Sequence, residues 1–325
     1  MSAEPLSTPA GSQAPSSKEE PAPALPSPAG PAIPVRATPP TQAPPFRLSR
    51  EGRMITGFDV LWVLGAVPVY GVPSLAAASV LWGAGLLVGW PLAAAALPLA
   101  YFAFLLALVL VLTALRLVLP REKEGTSRVF ADRDFFVFLL HWGLEAYVPP
   151  PLITHIQLLT SLRLLYFRGQ GMKLSWSTHI SPGARVWSAG LCHFGHLTYI
   201  GEFAHVTAHL SRGDKLLIAP VVIGDRVNVG AHSNISPGVT IGCDVRIGPL
   251  VDIAPACFIE DGAELGPACQ LGMGVHVGKG ARLEPRSFVD SWGRIPDGEV
   301  WAGDPARKVG EVRPSKRKAR GTEGP

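Results

Sequence analysis

Residues 221–274 divide into nine successive six-residue units: VVIGDR, VNVGAH, SNISPG, VTIGCD, VRIGPL, VDIAPA, CFIEDG, AELGPA and CQLGMG. The third position is aliphatic in every unit. Extended in both directions, this column fills fourteen consecutive slots, Leu217, Ile223 and every sixth residue on to Ile295. The next position is Gly, Ala, Ser or an acid almost throughout, and the first position is small or β-branched at every step from Val221 to Gly293. A helix repeats every 3.6 residues and a strand every two, so neither gives a strict period of six. One large inward side chain, one turn-permissive residue and one small inward residue per unit describe one face of a β-solenoid. Three units make a coil, and the stretch gives just under five coils. Stacked coils lie about 4.8 Å apart, and each buried aliphatic contributes roughly 1.5–3 kcal/mol.

Outward from this core, the chain is unusually apolar. Of its 325 residues 47% are hydrophobic, and the mean hydropathy is +0.26. Val60 to Leu115 is a run of 56 residues without a charged side chain, too long for one membrane span and right for two. Gly89-Trp90-Pro91 is the natural break, giving spans near 64–88 and 92–118, with Pro68 and Pro73 inside the first. Arg47, Arg50 and Arg53 precede the pair, and Arg116, Arg121, Lys123 and Arg128 follow it. Both ends are therefore expected on the cytoplasmic side, with the solenoid, in a multi-pass protein of the bacterial inner membrane. The competing reading is a helical hairpin buried in a soluble protein.

The remaining segments are expected to divide simply. Residues 1–55 begin with thirteen prolines in 45 positions and lack the branched and aromatic residues needed to offset ordering entropy, so they read as disordered. They also lack the basic start and short apolar core of a cleavable signal peptide. The hairpin occupies 56–120. Residues 121–178 form a connector, with two amphipathic helices (the second near Ile153–Phe167) broken at Pro149-Pro150-Pro151, lying on the membrane surface or capping the solenoid. The solenoid occupies 179–310, starting less regularly near Ile180. Residues 311–325 form a basic tail, with Arg313, Lys316, Arg317, Lys318 and Arg320. With a net charge of only +4, that tail suits solvent or a membrane surface better than nucleic acid. Four cysteines without a CxxC pair, two of them (Cys257 and Cys269) in the small inward column, indicate buried packing residues and a reducing compartment.

The six-residue phase is broken once. Val206 is one residue out of step with Leu217, and the text between them, HVTAHLSRGDK (205–215), is rich in titratable side chains. In a ladder with no slack, such a loop is where function is mounted. His titrates nearest neutral pH and suits a general base. His209 is the first candidate, His205 the second and His232 the third. His193 and His196 read as structural, and Glu202 or Asp214 could orient the base.

The order of a His-bearing loop, P-V-x-I-G (220–224), I-x-P-G-V-x-I-G (235–242) and a terminal Gly303-Asp304-Pro305-Ala306 resembles the galactoside, maltose and nodulation-factor O-acetyltransferases of the hexapeptide-repeat family, with Asp304 where those have Asn. A membrane hairpin, amphipathic helices and an interrupted solenoid together also resemble the C-terminal modules of the ε-poly-lysine synthetase family of non-ribosomal peptide synthetases. The resemblance implies a left-handed parallel β-helix, although crossovers between parallel strands are ordinarily right-handed. It further implies an acyl-CoA donor, acetyl-CoA above all, a hydroxyl or amine acceptor, and a homotrimer with sites between subunits. It places His209 as the base and Arg307, Lys308 and Trp301 near the nucleotide end of the donor, with no metal. Two alternatives stand beside it. One is a zinc enzyme of the γ-carbonic anhydrase type with ligands among His205, His209 and His232. The other is a non-catalytic or peptide-bond-forming module acting with a peptide or polysaccharide assembly system.

Overall fold

The computed structural model describes residues 50–312, with side chains from Thr56 onward. Arg47, the Pro-rich segment and the basic tail from Arg313 lie outside these residues. Two long helices, Arg50–Val88 and Leu97–Val118, form an antiparallel hairpin. The turn between them is set by Gly89, whose φ of 83° only glycine adopts freely, followed by Trp90-Pro91 opening the next helical turn. The first helix continues through Pro68 and Pro73. Both helices are long and apolar enough to cross a membrane, and their most apolar windows are only 11% and 28% buried within the chain. Most of the hairpin's apolar surface is exposed, while Val69, Leu105, Leu108, Val109 and Leu112 are buried in the main core.

Three helices follow, where the sequence suggests two: Arg133–Ala146, Pro150–Leu158 and Thr160–Gly169. Leu159 is extended (φ −98°, ψ 111°) and divides the second expected helix. Their apolar faces close the open end of the solenoid. Gln157 takes the part of a missing rung, its amide nitrogen donating to the Ala184 carbonyl at 2.7 Å while its Oε1 accepts from the Gly183 N–H at 3.0 Å. Arg163, almost fully buried, donates to the Gln157 and Thr178 carbonyls. Tyr147 ties this cap to the hairpin. Its ring stacks on Trp62 at 4.3 Å, its hydroxyl donates to the Trp62 carbonyl, and Tyr70 donates to its own carbonyl at 2.6 Å.

The solenoid makes about seven turns, its strands stacked in parallel on three faces of seven, seven and six strands, with an antiparallel eighth strand added to the second face. It begins at Lys173–Leu174, one strand before Ile180. From Val222 onward each rung lies 18 residues from the last, as in Val222, Thr240, Phe258, His276 and Arg294 on the first face. The aliphatic column and the small column are both buried, from Ile223 and Val221 respectively. Every sixth residue from Arg226 to Gly298 has positive φ, which turns each corner. Many of these are not glycine, at a cost of roughly 1–2 kcal/mol each that the regular ladder offsets. The last coil is closed by an antiparallel return strand, Ala306–Glu311, on Glu299–Gly303.

Leu217 is a correction to the sequence reading: it is not a rung. It belongs to an antiparallel strand, Lys215–Ile218, in which Leu216 and Ile218 face inward onto Phe135 and Phe138, so the residue between them faces the other way. The unbroken six-residue phase starts at Ile223, which stacks on Phe194 of the coil before.

Ile241, 1% exposed in the middle of the stack, is the clearest test of this core. Ile241→Asp should unfold the central coils, because an unpaired buried charge adds several kcal/mol to the lost transfer energy. Normal expression with an unchanged melting curve would contradict the inward assignment.

Candidate active site

Both departures from the six-residue phase fall at the same corner, where the chain passes from the third face to the first. In the first coil the paired positions Arg185 and His193 are eight residues apart, and in the second His205 and Val222 are seventeen apart. Other corners take six. The smaller insertion puts Ser188 at φ 53°, followed by a 3-10 turn at Ala189–Leu191. The larger one forms a hairpin, His209–Arg212 with Lys215–Ile218, to which Gly125–Arg128 adds a third antiparallel strand.

Glu145, fully buried on helix Arg133–Ala146, holds this corner. Its two carboxyl oxygens accept the Ser188 and Ala189 N–H groups, each at 2.8 Å. Burial first, and the Glu122 carboxylate second, push its pKa up to about 7. The Ser188 hydroxyl meets His209 Nδ1 at 3.0 Å, and Thr207 Oγ1 lies 3.3 Å from the same nitrogen. The other side of the ring packs on Phe138, centroids 4.7 Å apart. Burial and then the neighbouring His205 lower the His209 pKa to about 4, so it is neutral at pH 7. His209 is thus a packed imidazole in a nest of hydroxyls.

His205 stands on the outer surface of the third face. There Arg185, His205, Asn234, Asp252, Gln270 and Phe288 form one column, a rung apart. His205 Nδ1 lies 3.2 Å from Asn234 Oδ1, and Asn234 Nδ2 donates to Asp252 Oδ1 at 2.9 Å. An amide oxygen only accepts, so Nδ1 is the donor here, which in the neutral ring leaves the lone pair on Nε2. His205 also lines a cavity of about 330 Å³ with Arg185, Phe203 and Thr154. A fixed tautomer on a side chain that lines a cavity is an arrangement suited to proton abstraction.

The remaining sequence candidates are dispersed. His232 is an exposed corner residue at φ 57°, stacked on Phe203 at 5.2 Å. The Glu202 carbonyl accepts the His232 N–H, and the Asp214 carbonyl accepts that of Val129, so both acids enter through backbone rather than carboxylate. His196 Nδ1 is 2.6 Å from Ser175 Oγ, and His193 lies beside Lys173 on the first face, its pKa lowered by burial and then by that lysine. Trp301 donates to Glu299, Lys308 pairs with Glu299 at 2.7 Å and Glu311 at 3.1 Å, and Arg307 donates to the Ala306 carbonyl. These terminal residues lie five coils from His205, roughly 20–25 Å at the ladder spacing. Among the described residues no cluster of three or more His, Cys, Asp or Glu side chains forms a metal site, and His205, His209 and His232 occupy three different settings. Cys257 and Cys269 are buried and donate to the Gly272 and Glu284 carbonyls, and burial raises both thiol pKa values.

Glu145 and Ser188 are absent from the sequence reading. One signal was available: His141 and Glu145 stand four apart on the otherwise apolar face that carries Phe138. Polar groups at core positions of a helix demand a buried partner.

No protein-family model matches the chain, and no curated protein matches it. Solved structures are similar to its solenoid. AntD, an N-acyltransferase from Bacillus cereus in complex with dTDP and 3-hydroxybutyryl-CoA, is 14% identical with a TM-score of 0.39, over 45% of this chain and 86% of that one. Perosamine N-acetyltransferase from Caulobacter crescentus, as a mutant with CoA and GDP-perosamine, is 21% identical with a TM-score of 0.27, over 46% and 65%. A hexapeptide transferase family protein from Anaplasma phagocytophilum is 22% identical with a TM-score of 0.26, over 42% and 80%. The likeness is one of fold, and the activities in those names belong to those proteins.

Glu145 makes the corner sensitive to pH. The folded protein keeps this proton up to about pH 7, whereas the unfolded chain releases it near 4.5, so the neutral carboxyl's contribution is complete below about 4.5 and is lost as pH rises through 7. The expected loss is on the order of 2–4 kcal/mol. Melting curves from pH 4.5 to 7.5 should therefore fall more steeply for the native protein than for Glu145→Gln; parallel curves would show that the carboxyl does not titrate there.

Proposed function

We propose that this chain is a membrane-tethered acyltransferase of the left-handed hexapeptide type, moving an acyl group, acetyl in the first instance, from a CoA thioester to a hydroxyl or amine. What carries the reading is the His205–Asn234–Asp252 relay beside a cavity, on a solenoid whose sequence steps resemble that family. His205 replaces His209 as first candidate for the base. Its Nε2 takes the proton from the acceptor as oxygen or nitrogen attacks the thioester carbonyl. The tetrahedral oxyanion then collapses, the C–S bond breaks, and the imidazolium returns the proton to the leaving thiolate. His209, tied to Ser188 and Thr207 and pressed on Phe138, positions the loop behind His205. Arg307, exposed on the return strand, faces the donor's phosphates. Lys308 contributes less, its charge already shared by two carboxylates. The ε-poly-lysine synthetase resemblance favours an amine acceptor.

The corner beside the His205 column stacks Phe203, His232, Leu250, Ala268 and Arg286, an edge on which the apolar Phe203 and Leu250 are 59% and 60% exposed. It supports a homotrimer with this edge against a partner, which would complete the cleft around His205. The exposed apolar hairpin supports anchorage in the bacterial inner membrane with the solenoid in the cytoplasm.

His205→Ala should lower turnover by roughly 10²–10⁴-fold with donor KM nearly unchanged, and His209→Ala by about tenfold or less. Arg307→Ala should instead raise the donor KM. Steady-state kinetics with varied acetyl-CoA, or CoA release in the absence of an acceptor, measure all three. Full activity of both histidine variants would end the mechanism. For assembly, light scattering of the detergent-solubilised protein should give three chains per particle, and a fully active monomer would refute the trimer.

A further inference from the structure

A second region, distinct from the His205 relay, concentrates unmatched charge. Where the second hairpin helix ends, a cavity of about 490 Å³ opens between the hairpin, the cap helices and the first coil. Arg116, Arg121, Arg168 and Lys173 line it, against one carboxylate, Glu122. That carboxylate is already committed to Arg116 at 3.1 Å. The Arg116 side chain is only 11% exposed, and its Nη1 has neither solvent nor a hydrogen-bond partner among the described residues. His141, also in the wall, donates its Nε2–H to the Pro120 carbonyl at 2.8 Å, while its Nδ1 is buried and unmatched. Burial, and next the Arg116 charge, hold this histidine neutral, with a pKa near 4. Arg121 and Lys173 have no ion-pair partner among the described residues. Arg168 spends two donors on the Leu174 carbonyl and lies over Trp176, yet its charge remains. A wall with four cations and one carboxylate, partly withdrawn from water, calls for an anion.

Glycines keep this arrangement open. A Cβ at Gly190 would lie 2.1 Å from Arg116 Nη2, and one at Gly171 would touch Nε at 3.4 Å. The guanidinium is therefore threaded through a gap that any side chain at Gly190 would fill.

The cavity's neighbours are apolar. Leu117, in its wall, and Val118 beside it are 80% and 84% exposed on the hairpin. A second cavity, about 230 Å³, runs between the two hairpin helices and helix Arg133–Ala146, bounded by residues such as Phe58, Trp62, Leu115 and Leu139. Leu119 belongs to both cavities. One is cationic and the other oily, and they meet at a single side chain.

We propose that together they bind a phosphate-bearing lipid, the phosphate in the Arg116 cavity and an alkyl chain in the slot beyond Leu119. The shared chemistry is a phosphate head of net negative charge, without a cation of its own as in a choline ester, and the adjoining slot and the exposed Leu117 select a membrane source over a soluble one. The proposal rests on the reading that the hairpin spans a membrane.

The test uses the full-length protein. Incorporation into phosphatidylcholine nanodiscs reads the hairpin separately: protein that stays in the aqueous fraction without detergent overturns the membrane reading, whatever lipid titration gives. In neutral detergent, short-chain phosphatidic acid, phosphatidylcholine and inorganic phosphate are then titrated, with melting temperature and native mass spectrometry as readouts. Phosphatidic acid should stabilise the protein and remain bound, and inorganic phosphate should require at least about tenfold more ligand. Arg121→Gln/Lys173→Gln, which removes two exposed cations without disturbing the fold, should weaken phosphatidic acid by about tenfold or more while leaving the lipid-free melting temperature unchanged. Leu139→Trp, which fills the slot, should erase the advantage of the lipid over inorganic phosphate. Equal stabilisation by phosphatidylcholine, or an unchanged titration in the double variant, overturns the site. Inorganic phosphate matching phosphatidic acid at equal concentration overturns the lipid source.

Discussion

Every coil of this solenoid must lie within hydrogen-bonding distance of the one before it. At about 4.8 Å per rung there is no room for a residue more or less on any face. The strict 18-residue offset from Val222 to Arg294 is that constraint written into sequence, and so is the run of corners at positive φ. Insertions can leave the stack only where a corner can bulge outward without moving the rungs on either side.

That is why both insertions share a corner, and why the helices gather there. A bulged corner presents backbone N–H groups that no rung satisfies. Glu145 meets two of them at Ser188 and Ala189, and Gln157 meets the open end of the first coil in the same way. The helical cap is therefore a supplier of hydrogen bonds as much as an apolar lid. By fixing Ser188 it also fixes what His209 touches. His205, Asn234 and Asp252 are instead lined up by the ladder register. Regular and irregular parts of the fold thus order different histidines.

The same division explains what could be read from the sequence. The inward columns were legible because each slot obeys one local rule, repeated many times. Leu217 imitates the rule by chance of spacing, and only the pairing of Leu216 and Ile218 with Phe135 and Phe138 reveals that it belongs elsewhere. The hairpin was legible from its missing charges, but the break at Leu159 was not, because nothing in its side chain forbids a helix. The titratable loop was legible as a segment, whereas the side chains that each of its histidines meets were not. His205, Asn234 and Asp252 are 29 and 18 residues apart, and their adjacency exists only once the coils are stacked. Glu145 is farther still from its partners and reaches them by helix packing.

The two ends of the solenoid are finished by different means. At one, the Gln157 amide occupies the place of a neighbouring strand; at the other, residues 306–311 fold back antiparallel over the last coil. A stack of parallel rungs is otherwise an open template onto which another molecule's rungs could add indefinitely. With one face of the last coil covered by the chain itself and the first coil met by the cap, growth along the axis into filaments is disfavoured, and self-association falls more readily on the flanks of the prism.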